Sequence, residues 1–118
     1  MHRKILDYFG GIILDKYDYK DIIKYLIPKD IEKRYVYPTV IPQWDRTPRS
    51  GKRTTLYYGS TPELFGYHVK KIIERIREKP QNDKIIFLKS WNEWAEGNYI
   101  EPDTRFGHGY LDALKKEL

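Results

Sequence analysis

The chain has 118 residues, 40% apolar and 33% charged, the proportions of a single folded domain rather than a disordered chain. It holds no cysteine, which excludes disulfides and thiolate metal sites, and no apolar run approaches the roughly 18–20 residues of a membrane helix. The formal charge of +5 is spread along the chain among acids; without a basic tail, paired zinc ligands or an RNP-like strand, it reads as solvated surface, and no nucleic-acid partner is expected.

The N-terminal stretch M-H-R-K-I-L-D-Y-F-G-G-I-I-L-D starts basic, but Asp7 interrupts it and no small-residue cleavage site follows. It is therefore not a signal peptide, and a cytoplasmic location is expected. Residues 5–14 fit a short strand or a short helix around Gly10-Gly11, since periodicity does not separate the two. A short helix is predicted from Asp18 to Leu26, with Asp18 as N-cap, Ile22, Ile23 and Leu26 on one face, and Pro28 as the stop. R-Y-V-Y-P-T-V-I-P-Q-W then suits a strand bounded by prolines, and it runs into a polar loop, W-D-R-T-P-R-S-G-K-R.

The clearest helix begins at S-T-P-E. Ser60 or Thr61 caps it, Pro62 fits the first turn and Glu63 completes a capping box. Phe65, Val69, Ile72, Ile73 and Ile76 recur at helical spacing before Lys79-Pro80 ends the element. Ile85 to Leu88 reads as a buried strand of a parallel sheet, continuous rather than alternating. A last helix is predicted over Gly109 to Leu118. The order of strand, polar loop, helix, strand, acidic loop and helix is that of an α/β protein with parallel strands. Chemistry in such folds gathers at the carboxyl ends of strands. The loops Trp44–Lys52 and Trp91–Asp103 are thus expected to emerge on one face.

The second loop, S-W-N-E-W-A-E-G-N-Y-I-E-P-D, concentrates Glu93, Glu96, Glu101 and two indoles. An extended strand would send Glu93 and Glu96 to opposite faces; a turn, which Asn92 and Gly97 permit, lets both point at one cleft. Two carboxylates flanking a sugar linkage are the equipment of glycoside chemistry, one protonated as general acid and the other acting as base or nucleophile. Burial and mutual repulsion are the means by which one carboxyl of such a pair is raised. Trp91 and Trp94 suit the same task, because indole faces pack on the C–H faces of sugars. The blander readings are a solvated E-x-x-E turn, tryptophans in a core or interface, and Glu101 as a turn acceptor. A hard-cation site would show alternating Asp and Asn ligands; these are missing, and no metal is expected.

S-W-N-E-W-A-E-G-N-Y-I-E-P-D, followed by F-G-H-G-Y-L-D-A-L, closely resembles the C-terminal motif W-N-E-W-A-E-G-x-Y-L-E-P-D of the WbsX-type proteins of polysaccharide biosynthesis, glycosyltransferase-labelled relatives of glycoside hydrolase family 99. Y-D-Y-K-D-I-I is similar to that family's D-Y-d segment, and P-T-V-I-P-Q-W-D-R-T-P-R to its P-x-x-x-P-x-W-D-N-T-x-R loop. The three motifs fall in order over roughly residues 17 to 114. The resemblance implies a (β/α)₈ barrel of the TIM type, with the acidic loop after its last strand. It implies retaining, metal- and cofactor-independent action on α-mannoside-like or related glycan linkages, with a carboxylate deprotonating the sugar 2-hydroxyl. On this likeness Glu93 matches the assisting base and Glu96 the general acid. Trp91, Asn92, Trp94, Tyr99 and Glu101 line the sugar site, and Trp44, Asp45 and Arg49 belong to the neighbouring loop. Arg46 stands where the family usually has Asn, and Ile100 replaces Leu. Clan A glycosidases also place Asn-Glu at a strand end, but on the fourth strand, whereas here few residues follow Asn92-Glu93.

A (β/α)₈ barrel takes about 250 residues, so residues 1–118 are expected to be the C-terminal fragment of a family 99-like catalytic domain, too short to close a barrel alone. The chain is then a fragment of a split or truncated gene, or it takes the missing strands from a second chain or a second copy of itself; the other expected partner is a glycan or sugar. A non-catalytic remnant or carbohydrate-binding fragment is the alternative.

Overall fold

The computed structural model describes residues 14–51 and 53–118. The element expected within residues 5–14 lies outside them but for Leu14, where the first strand begins. The chain is mixed α/β and contains no closed barrel among the described residues. Strand β1 (Leu14–Asp18) leads directly into helix α1 (Tyr19–Leu26). Asp18 caps the helix, accepting the Lys20 N–H at 2.9 Å, as its short acidic side chain predicts. Tyr19 and Ile23 are buried, and the Tyr19 hydroxyl donates to the Ile41 carbonyl at 2.5 Å.

The proline-bounded strand is shorter than its composition suggests. Only β2 (Thr39–Val40) and β3 (Trp44–Asp45) are extended and paired, because Pro38 and Pro42 lack the N–H that a longer ladder needs. The polar loop holds a one-turn helix, α2 (Thr47–Ser50), and then a strand, β4 (Thr54–Tyr58), that the sequence reading passed over. β4 is the centre of a three-stranded sheet, parallel to β1 and antiparallel to β3.

Helix α3 (Pro62–Ile76) follows the predicted pattern, with Thr61 rather than Ser60 as its cap: the Thr61 hydroxyl oxygen accepts the Leu64 N–H at 3.3 Å. Ser60 instead bonds the Pro42 carbonyl and the Tyr110 hydroxyl. Phe65, Val69, Ile72 and Ile76 form one buried stripe, joined in the core by Ile31, Val40, Ile100 and Tyr110. Each such side chain contributes about 1.5–3 kcal/mol when removed from water. Beyond a 3₁₀ turn at Gln81–Asp83 lies β5 (Phe87–Leu88), parallel to β2. Its expected burial is not met: Ile85 is 43% and Phe87 56% exposed. These apolar side chains have no second layer within the described residues to cover them.

The acidic loop is a small hairpin. β6 (Asn92–Glu93) and β7 (Asn98–Tyr99) pair antiparallel around a 3₁₀ turn at Trp94–Glu96. Helix α4 (Gly109–Glu117) closes the described fold against α3. Gly109 makes the approach possible, since a β-carbon there would sit 2.7 Å from the Pro62 γ-carbon. Among the described residues, no helix is long and apolar enough to cross a membrane.

Candidate functional site

The two loops singled out by sequence lie against each other. Asn98 is fully buried and its side-chain amide donates to the Gln43 carbonyl at 2.5 Å; the Gln43 amide donates back to the Tyr99 carbonyl at 3.2 Å. Ser90 secures the base of the hairpin, donating to the Asn98 carbonyl at 2.8 Å and accepting the Glu93 N–H at 3.1 Å. The Trp91 carbonyl accepts the Ile100 N–H at 3.0 Å, which ties the two ends of the loop together.

On this frame the indoles and acids separate into distinct settings. Trp94 stacks on Tyr99 with ring centroids 3.6 Å apart and planes at 19°, and its indole N–H donates to Glu101 at 2.6 Å. The Tyr99 hydroxyl in turn donates to Asp103 at 3.1 Å. Partial burial and the Asp103 carboxylate raise the Tyr99 phenol above its ordinary range. Trp91 is 54% and Trp94 47% exposed, so each offers an aromatic face to solvent. Asn92 and Glu93 are exposed beside them, and Glu93 makes no ion pair among the described residues.

Glu96 is held differently. Its side chain is 15% exposed and one carboxylate oxygen faces two guanidinium groups, Arg46 Nε at 3.3 Å and Arg49 Nη1 at 3.7 Å. Asp45 is occupied locally: one of its oxygens accepts the Thr47 N–H at 2.9 Å and the Thr47 hydroxyl at 2.6 Å, starting α2. The Lys89 ammonium lies 5.0 Å from the Trp44 ring centroid, and Trp44 leans on Tyr57 at 6.4 Å. All the predicted residues thus fall in two touching loops, though Trp44 and Asp45 are engaged in holding the first loop. Gln43, Ser90, Asn98 and Lys89 were not foreseen as participants. No local signal marks Asn98, because its partner Gln43 lies 55 positions away.

A groove of about 670 Å³ lies elsewhere, between α3 and α4, lined by Pro62, Gly66, Tyr67, Phe106 and Ala113 among others. None of the predicted site residues lines it. Among the described residues, no group of three His, Cys, Asp or Glu is placed to hold a metal ion.

The family model described as glycosyltransferase WbsX matches residues 2–114. The chain belongs to the WbsX glycosyltransferase family. This WbsX-family chain is also similar to the uncharacterized protein WxcX of two Xanthomonas campestris pv. campestris strains. With that of strain B100 it shares 30% identity over 105 residues, 88% of this chain and 15% of the relative. With that of strain ATCC 33913 it shares 30% over 111 residues, 93% and 16% respectively. The chain therefore spans about one sixth of the length of these relatives. No solved structure matches it.

Proposed function

We propose that this WbsX-family chain is the C-terminal part of a (β/α)₈ catalytic domain that cleaves or transfers a glycosidic linkage in polysaccharide metabolism. The reading is supported by one observation: the W-D-R-T-P-R and W-N-E-W-A-E-G segments pack against each other, through Gln43 on Asn98 and Tyr99 and through Arg46 on Glu96, with Trp91, Glu93 and Trp94 exposed. The parallel β2–β5 pair, whose connection passes through α3, is the kind of strand–helix–strand crossover from which such a barrel is built, and it supports this reading. Such a barrel needs about 250 residues. Its remainder comes from sequence beyond this chain, a second chain or a second copy, which would also cover Ile85 and Phe87.

In this mechanism Glu93, exposed and without an ion pair among the described residues, is the base that deprotonates a sugar 2-hydroxyl for attack on the anomeric carbon. Glu96 is the acid that protonates the departing glycosidic oxygen. Trp91 and Trp94 carry the sugar faces, while Glu101 and Tyr99 orient the Trp94 indole. Asn92 lines the same edge, and Trp44, Asp45 and Arg49 shape its other wall.

Glu96 favours a second reading. Two guanidinium groups already face its carboxylate, so this chain by itself also fits a sugar-binding surface without turnover. The test is hydrolysis or transfer of an α-mannoside by the intact parent protein, with Glu93→Gln and Glu96→Gln variants. Loss of at least about 100-fold in each supports the catalytic pair. Unchanged turnover in both, with sugar affinity lost in Trp91→Ala or Trp94→Ala, supports the binding surface.

A further inference from the structure

Two arginines share one carboxylate oxygen at the edge of the sugar face, and neither is satisfied by it. Arg46 Nε is buried without a hydrogen bond, because its 3.3 Å approach to Glu96 lacks the alignment that one requires. Arg49 stands farther off, at 3.7 Å, with its side chain 58% exposed. A guanidinium carries five N–H donors in a planar fork suited to carboxylate or phosphate oxygens. Two such forks meet a single carboxylate here, leaving one positive charge uncompensated by Glu96 and several donors turned to solvent. Asp45, the nearest other acid in sequence, has one oxygen engaged by Thr47. The exposed Trp94 ring belongs to the same 3₁₀ turn as Glu96, so the under-used cations and an aromatic platform share one short segment.

We infer that Arg46 and Arg49 recognise an anionic group on the sugar substrate, a uronate-type carboxylate or a phosphate, which takes the guanidinium forks in exchange for Glu96. This rests on reading the paired loops as a sugar site, and it makes Arg46 the residue that selects an acidic over a neutral glycan. Glu96 marks the geometry: the cluster already holds a carboxylate, so the substrate's anion replaces a ligand of the same kind.

The experiment is an NMR titration of the ¹⁵N-labelled chain, following arginine Nε–H and tryptophan indole signals. The probes are a mannuronate disaccharide, its carboxyl-reduced mannose counterpart and mannose 6-phosphate. The mannuronate disaccharide is expected to bind at least about tenfold more tightly than the neutral disaccharide, as charge-assisted hydrogen bonds require, and to shift the Arg46 Nε–H. Arg46→Asn and Arg49→Gln should each erase most of that preference. Glu96→Gln, which removes the internal competitor, should strengthen binding of the acidic sugar. Since loss of one arginine leaves Glu96 with a single partner, the Glu96→Gln result keeps the test meaningful if either arginine variant unfolds.

A preference confined to mannose 6-phosphate supports the anion site with phosphate as its ligand. Equal affinity for charged and neutral sugars overturns the inference and leaves the sugar site standing. A charge preference that survives both arginine substitutions overturns it as well, reducing the effect to attraction by a basic chain. If no sugar perturbs the indoles or the arginines, the inference and the sugar site fall together.

Discussion

Gly97 lies so close to Asp45 that a β-carbon built on it would stand 2.8 Å from both the Asp45 β-carbon and its carbonyl oxygen. The backbone there is also left-handed, with φ +52°. A side chain is thus refused twice, by conformation and by space. Gly97→Ala is expected to cost roughly 2 kcal/mol or more, about 1 of it from the left-handed backbone and the rest from forcing the loops apart. Thermal unfolding followed by circular dichroism reads this as a lower midpoint. An unchanged midpoint would show that the contact with Asp45 does not hold the loops.

His68 sets a dependence of stability on acid. The imidazole is fully buried in α3, with Nδ1 3.5 Å from the Tyr19 hydroxyl and Nε2 without a hydrogen-bond partner. Desolvation pushes its pKa down from 6.5 to about 4. The folded-state value lies below the unfolded one, so as pH falls the unfolded chain takes the proton first. The neutral histidine costs nothing above pH 6.5, and stability is lost progressively between there and about 4. The shift corresponds to about 3 kcal/mol in full. His68→Leu should flatten this part of the profile. Denaturant unfolding of the two proteins across that range checks it, with parallel profiles as the contrary result.

Lys79 is buried at 6% exposure just beyond α3. Its ammonium donates to the Ile31 carbonyl at 3.3 Å and the Val36 carbonyl at 2.5 Å, and it lies 5.3 Å from the Tyr37 ring centroid. These contacts fasten the 28–37 segment to the end of the long helix. Lys79→Met keeps the apolar stem and removes the donor, leaving two carbonyls short of a partner. A loss of about 1–3 kcal/mol is expected, together with faster amide exchange at Val36, whose N–H bonds the Lys33 carbonyl.

How far the chain could be read in advance depended on how local each feature is. The apolar stripe of α3, the Asp18 cap and the family motifs are written in neighbouring residues, and each appears where its chemistry requires. β4 was not legible: T-T-L-Y-Y carries no clear alternation of buried and exposed residues, and it is a strand because β1 pairs with it from 40 residues away and β3 from 11 to 13. The ion pairs of Glu96 were hidden for a related reason. Arg46 and Arg49 lie some fifty positions upstream, and only the turn at Gly97 brings the acid to them. Ile85 and Phe87 were read as buried because their side chains are apolar, whereas burial also needs a neighbour to supply the cover.

The two prolines around β2 act on the β2–β5 pair as a key acts in a lock. The Pro38 and Val40 carbonyls accept the N–H groups of Phe87 and Lys89 at 2.9 and 3.0 Å. Val40 stands midway between Pro38 and Pro42 and supplies the N–H of this segment that faces β5. Sliding either strand by two residues keeps every side chain on its own face, yet it would bring a proline nitrogen to the place where Val40 donates. Neither proline has a hydrogen there. A pairing only two residues long therefore has a single alignment open to it, and the acidic hairpin that follows β5 inherits that fixed position.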